Sequence, residues 1–374
     1  MHILIAPNAF KNSLSAVDAA LAIQTGLRQS NLLHTSQSFP VGDGGDGTAS
    51  LLFAHTGGSA VRVEVRDPVG KPVKAEFFIS DSKSSAIIEM AAASGLRLLK
   101  TEERNPLQTS SYGTGQLIRA ALDQGVKEII LCIGGSATVD GGCGILAALG
   151  LLFLDKQGTP LQPIPAALTD LYSIDRSGLD KRLAETRIKI LCDVQNPLIG
   201  PNGAATIFGP QKGADADAVQ QLERMLQGFA SIIASVTGKS IETLKGGGAA
   251  GGIAAGLYSV LNAELHSGID YFLSVTGFES ALQEADHLIT AEGNIDSQTL
   301  EGKGPAGVAI RAKQQQIPVT GFSGMPATSG NFQNLFDEII CINPPDISLE
   351  EAMRSTYRYL VHAAKDWGNR MAAR

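Results

Sequence analysis

IGGSATVDGG, residues 133–142, is the stretch whose reading decides the fold. An apolar run, KEIILCI (127–133), leads into it, and a second apolar run, GILAALGL (144–151), leaves it. The first reads as a strand and the second as a helix. Strand, glycine loop and helix in that order point backbone N–H groups and a helix N-terminus at one place. Alone, the loop is either a tight turn or a cradle for a phosphate, and the surrounding chain has to decide.

Working outward, the same order recurs at both ends of the chain. Residues 2–6 (HILIA) form an apolar strand bounded by Pro7, and SAVD from Ser15 opens a helix with an N-cap hydroxyl and an acid three positions on. Near the other end, 287–290 reads as a strand, 308–315 as a helix, IPVTGFSG and EIICINP as strands, and 349–367 as a closing helix. The middle differs. VRVEV (61–65) alternates like a strand with one wet face, and DPVGKP is a turn. VKAEFFIS and SSAIIEMA follow with no helical segment between them, so antiparallel pairing is expected. Residues 116–124 are helical and close at Gly125, 188–192 form a strand, and 216–236 carry the longest helical pattern. KGGGAAGGIAAGL enters a further glycine-rich helix, and no fixed-period repeat is present. The expected fold class is α/β with two unlike α/β domains. One is discontinuous, built from 1–70 and 284–374, and the other, 71–283, is inserted and carries a mixed sheet.

Composition narrows the partners. A net charge of −7 with no basic block argues against nucleic acid. Cys132, Cys143, Cys192 and Cys341 form no C-x-x-C pair, and the six histidines show no ligand spacing. The longest apolar stretch is too short to span a bilayer, and MHILIAP reads as a first strand rather than a cleavable signal, so a cytoplasmic protein with no membrane partner is expected. A homodimer is compatible with this composition. Glycine is enriched, with 42 among 374 residues against a usual share of about 7%.

That glycine concentrates beside acids in four segments: GDGGDG (42–47), the 134–144 loop, CDVQNP (192–197) and AEGNIDSQ (291–298). Glycine lets successive N–H groups converge on an anion, while a carboxylate repels a bare phosphate. The two together make sense with a hard cation between them, and Mg²⁺ shared by carboxylates and phosphate oxygens is the common solution. No Walker sequence is present, and no G-x-G-x-x-G follows the first strand. Each candidate has two readings. Lys11 and Lys303 reach a phosphate or are solvated charges; Asp43 and Asp46 serve as base or ligand, or shape a turn. Gly134, Gly135, Ser136 and Thr138 bind a phosphate or close the turn, and Asp140 meets a ligand or caps its helix. Asp193, Glu292 and Asp296 hold a metal or make surface contacts, and Arg66 and Arg104 clamp a carboxylate or lie on the surface.

Beyond these loops the sequence resembles the type I glycerate kinases. The resemblance runs through APNAFKNSLSA, GDGGDGT, EMAAASGL, SSYGTGQLI, IGGSATVDGGCGILAALG, DVQNPLIGPNGA, FGPQKGA, GAAGG, EGNIDSQTLEGKGP and GFSG, nearly the whole chain. It implies a Rossmann-like domain from both chain ends, an inserted second domain, and ATP-dependent phosphorylation of D-glycerate, with 2-phosphoglycerate the favoured product. Under it Asp43 is the expected base for the glycerate hydroxyl, and Lys11 or Lys303 offsets charge on the transferred group. Gly134, Gly135, Ser136 and Asp140 are expected at nucleotide phosphates, Arg66 and Arg104 at substrate, and Asp193, Glu292 and Asp296 at Mg²⁺. The chain departs from the family's usual pattern at Asn8 and Ala9 (Asp and Ser), Asp46 (Glu), Val139 (Asn) and Ala291 (Gly). A kinase for another hydroxy acid or sugar acid and a non-catalytic nucleotide or metabolite sensor are the competing functions.

Overall fold

The fold is that of a computed structural model, in which residues 1–295, 304–326 and 332–373 are described. The described strands are β1 (His2–Ile5), β2 (Thr35–Ser38), β3 (Ser59–Arg66), β4 (Pro72–Ile79), β5 (Ser85–Glu89), β6 (Glu128–Cys132), β7 (Leu152–Leu154), β8 (Ser173–Asp175), β9 (Arg187–Leu191), β10 (Glu264–His266), β11 (His287–Glu292), β12 (Val319–Ser323) and β13 (Glu338–Cys341). Two compact units contain them. One joins Met1–Asp43 to Gly268–Arg374, and the other is Gly44–Ser267.

The chain-end unit carries a parallel sheet in the order β13-β12-β11-β1-β2. Counting only its own strands, the order is 2-1-3-4-5, the doubly wound arrangement whose switch point lies between the first and third strands, here β1 and β11. β12 is buried at every position and β11 at all but its last, as expected for a parallel sheet covered on both faces. Helices Ala16–Arg28 and Leu349–Ala372 pack on one face, setting Ile23, Leu27, Leu360 and Trp367 against Ile3, Ile5, Ile289 and Phe322. The Ser15 cap forms as read, its side chain accepting the Asp18 N–H.

The inserted unit carries a six-stranded sheet ordered β10-β9-β6-β5-β4-β3. β5, β6, β9 and β10 run parallel, while β4 runs antiparallel to both β3 and β5, which makes the sheet mixed. β7 and β8 form a separate antiparallel pair. The core of this unit gathers Phe77, Ile88, Leu131, Ile190, Phe229 and Ile253 among many others.

The division differs in detail from the expected boundaries at 70 and 284. β3 pairs with β4 along its full length, from Ser59↔Ile79 to Arg66↔Pro72, so VRVEV belongs to the inserted sheet. At the other junction, Arg311 holds Asp270 and Glu279, and Phe278 meets Phe39 edge-on at 5.4 Å, so residues 268–283 belong with the chain ends. The helix expected over 144–151 stops earlier, at Ala148, because β7 begins at Leu152.

Candidate active site

Ligands of open α/β sheets bind beyond the carboxyl ends of the strands, and each unit presents such an edge. In the chain-end unit, the ends of β11, β12 and β13 are stitched together. The Gly324 N–H donates to the Glu292 carbonyl (3.2 Å), and Asn343 Nδ2 donates to the Gly324 carbonyl (2.6 Å). A Cβ at Gly324 would stand 2.7 Å from the Gly293 carbonyl, so this approach requires glycine. On the other flank, Ser13 Oγ donates to the Met353 carbonyl (2.6 Å), tying the loop after β1 to the helix Leu349–Ala372. Between these features lies a crevice of about 300 Å³ at the switch point, lined by Phe10, Lys11, Glu292, Asn343, Leu349 and Met353 among others. Beside β1, Asn8 Nδ2 donates to Asp43 Oδ2 at 2.9 Å, and Asn8 Oδ1 takes the Ala9 N–H.

In the inserted unit, the 44–47 and 133–144 loops meet closely. The Gly134 N–H donates to the Gly44 carbonyl, and a Cβ at Gly134 would come within 2.4 Å of Gly45 Cα. Gly135 has φ +71°, a conformation that favours glycine. Glu89, the last residue of β5, accepts the Gly47 N–H on Oε2 (2.9 Å). Arg97 donates to Asp46 Oδ1 (2.7 Å), and its Nη2 lies 3.7 Å from Glu89 Oε1. Burial pushes the Glu89 carboxyl up to about 8, reinforced by its contact with Asp46 and opposed by Arg97. Glu89 therefore keeps its proton near neutral pH, with Asp46 and Arg97 beside it.

Two further charges lie beneath the 133–144 loop. Asp140 is fully buried. Its Oδ2 accepts the N–H and hydroxyl of Ser111 (2.8 and 2.7 Å) and the Gly144 N–H (3.2 Å), and its Oδ1 accepts the Gly142 N–H (3.1 Å). Burial raises its pKa from the ordinary value while these bonds oppose the shift. Lys212, only 3% exposed, donates from Nζ to Ser136 Oγ and to the Thr138 carbonyl, both at 2.7 Å. Burial pushes it down to about 7, and Asp140 acts in the opposite sense.

These placements sort the expected residues. Lys11 and Glu292 line one crevice, and Asp43 is held by Asn8 at the edge of the same sheet. Gly134, Gly135 and Ser136 stand on one loop, with the Ser136 hydroxyl taking a bond from Lys212. Asp140 accepts four internal hydrogen bonds on its two oxygens, the arrangement of a residue that holds the loop and the helix start, the second of its two readings. Asp193 follows β9, half-buried, at the carboxyl edge of the other sheet. Arg66 ends β3 with its guanidinium over the Tyr112 ring (5.2 Å), and Arg104 packs its backbone against Gly213. Lys303 and Asp296 lie outside the described residues.

Glu89, Arg97, Lys212 and Asn343 were given no role from the sequence. Glu89 closes an apolar strand but has no glycine beside it, so it falls outside the glycine-and-acid segments that singled out Asp193 and Glu292. The other three carried no signal, because only the fold brings Arg97 to Asp46 or Lys212 to Ser136. Among the described residues, no group of three or more His, Cys, Asp or Glu side chains gathers to hold a metal. No helix among the described residues is long and apolar enough to cross a membrane.

Comparison with known proteins agrees with this architecture. A glycerate kinase from Bacillus subtilis (strain 168) is 45% identical over 98% of this chain and 96% of that protein. A glycerate 2-kinase from Escherichia coli (strain K12) is 41% identical over 98% of this chain and 97% of its own. The crystal structure of a putative glycerate kinase 2 from Salmonella typhimurium LT2 superposes with a TM-score of 0.81 at 42% identity, covering all of this chain and 98% of the other. The glycerate kinase family model matches residues 3–372, and the chain belongs to that family of kinases.

Proposed function

We propose that the protein transfers the γ-phosphoryl group of ATP to the 2-hydroxyl of D-glycerate with Mg²⁺ bound, releasing ADP and 2-phosphoglycerate. One observation carries the reading: Lys11 and Glu292 line a single crevice at the switch point of the parallel sheet. A lysine and one carboxylate are what a Mg²⁺–polyphosphate asks of a protein. The relative named as a glycerate 2-kinase supports the choice of hydroxyl.

The step forms a bond from the acceptor oxygen to the γ-phosphorus and breaks the bond to the ADP oxygen. Catalysis of such a transfer depends on positioning and charge neutralisation more than on a strong nucleophile. In this reading Asp43 takes the hydroxyl proton. The Asn8 amide, 2.9 Å from Asp43, holds that carboxylate in place, so Asn at position 8 supports the base without carrying charge itself. Lys11 offsets charge on the transferred group, with Lys303 as a second candidate. Gly134, Gly135 and Ser136 receive phosphate oxygens. Glu292 is one candidate to hold the metal and Asp193 another; the metal, when bound, neutralises phosphate charge.

The test supplies purified protein with ATP, Mg²⁺ and D-glycerate and follows ADP, then passes the product to enolase, which dehydrates the 2-phosphate but not the 3-phosphate. Glycerate-dependent ADP with an enolase-competent product is expected. Absence of ADP release overturns the reaction, and an inert product overturns the assignment of the hydroxyl. Asp193→Ala is expected to slow turnover by about a hundredfold or more; wild-type rates would remove Asp193 from the site.

A further inference from the structure

The crevice at β1 and β11 has features that Mg²⁺ and phosphates do not use. Its walls are largely apolar: Phe10, Leu349, Ala352 and Met353 line it with Met325. Leu349 is 69% exposed and Met325 48%, so two large apolar side chains stand bare at this site. The Asn343 side-chain oxygen is buried there and, among the described residues, accepts no hydrogen bond. Its orientation is fixed, because the amide nitrogen must face the Gly324 carbonyl it donates to at 2.6 Å. A buried acceptor without a donor is unfavourable, and a ligand N–H would relieve it.

A three-carbon hydroxy acid does not match these features. It is too small to fill about 300 Å³ and has no apolar face to set against Phe10 and Met353. An adenine ring has apolar faces and a donor amino group, and it leads through a ribose to phosphates that suit Lys11. The crevice also lies at the switch point of a 2-1-3-4-5 sheet, where mononucleotides bind.

We infer that this crevice takes the adenosine part of the nucleotide, with the base between the apolar walls and its 6-amino group donating to Asn343 Oδ1. The inference rests on the reading that ATP is the phosphoryl donor. It also assigns nucleotide specificity: a base carrying a carbonyl at position 6 sets an acceptor against the Asn343 acceptor and is disfavoured.

The experiment is calorimetric titration of the full chain with Mg²⁺–ADP and Mg²⁺–IDP, on wild type, Asn343→Leu and Met353→Trp. Wild type is expected to bind ADP about tenfold tighter than IDP. Asn343→Leu should bring the ratio near one. Met353→Trp, which fills the crevice, should weaken ADP by at least about tenfold while the KM for D-glycerate stays within about twofold. Thermal midpoints identify a variant that fails to fold, in which case the other decides. Unchanged ADP affinity in a folded variant overturns the inference, as does a wild type that binds ADP and IDP equally or not at all. If the binding behaves as stated but no phosphoglycerate forms, the proposed reaction falls and the inference stands. If phosphoglycerate forms while the variants bind ADP as wild type does, the inference falls and the reaction stands.

Discussion

Asp140 and Lys212 show how much a side chain's role depends on what surrounds it. Asp140 looks like a ligand residue in sequence because it sits among glycines, yet its oxygens take three backbone N–H groups and a hydroxyl. Removing the carboxylate leaves those buried donors unpaired, so Asp140→Ala is expected to cost about 3–5 kcal/mol in urea unfolding; a loss under about 1 kcal/mol would show the loop held by other means. Lys212 offers a pH signature. Its folded pKa of about 7 lies below the unfolded value of 10.5, so between them the unfolded chain binds more protons. Stability from this group is therefore present above 10.5 and lost as pH falls through about 7, a slope of up to roughly 1.4 kcal/mol per pH unit. Glu89 slopes the other way: raised from 4.5 to about 8, it contributes stability that is full below 4.5 and lost as pH rises through 8. Comparing wild type with Lys212→Met cancels the Glu89 contribution. Wild type should gain about 2 kcal/mol on the variant between pH 7.5 and 9, and parallel urea midpoints across that range would show that Lys212 does not titrate there. The candidate acids were legible because acid and glycine together in one short segment are a local signal. Lys212 and Arg97 were not, since their partners are remote in sequence.

At the scale of elements, what was readable followed burial. β11 and β12 are buried on both faces and appear as apolar runs, and the Ser15 cap is written in four consecutive residues. β2 is Thr35–Ser38, a polar edge strand with no periodic signal, and it went unread. The three-residue strands β7, β8 and β10 are too short to show a period. Helix packing was also invisible, although one glycine sets it. In Ala16–Arg28, a Cβ at Gly26 would stand 2.2 Å from the Val361 carbonyl and 2.8 Å from Ala364 Cβ on Leu349–Ala372. Propensity alone would make Gly26→Ala stabilising by about 1 kcal/mol. The backbone contact cannot give way without separating the helices, so a net loss of about 1–3 kcal/mol is expected in chemical denaturation. A variant as stable as wild type would mean the helices part at little cost.

At the scale of the molecule, a discontinuous domain was legible from strand–helix alternation at both ends, but its limits were not. The alternating VRVEV pattern says that a strand has one wet face, not which sheet it joins, and only the β3–β4 register assigns it. The resulting division has a consequence for folding. The inserted unit, Gly44–Ser267, is continuous in sequence and holds its own six-stranded sheet and core. The other unit needs both chain ends, because β11 pairs with β1 and β1 pairs with β2. Residues 44–267 expressed alone should therefore unfold in a single cooperative urea transition with native-like near-ultraviolet circular dichroism. Residues 268–374 alone should not, since β11 would present a buried apolar edge with its β1 partner missing. Joining 268–374 to 1–43 through a flexible linker restores all five strands and should restore the transition. If 44–267 melts without cooperativity while the joined piece folds, the inserted unit depends on the chain ends for its stability, and the independence argued from its sheet and core is wrong.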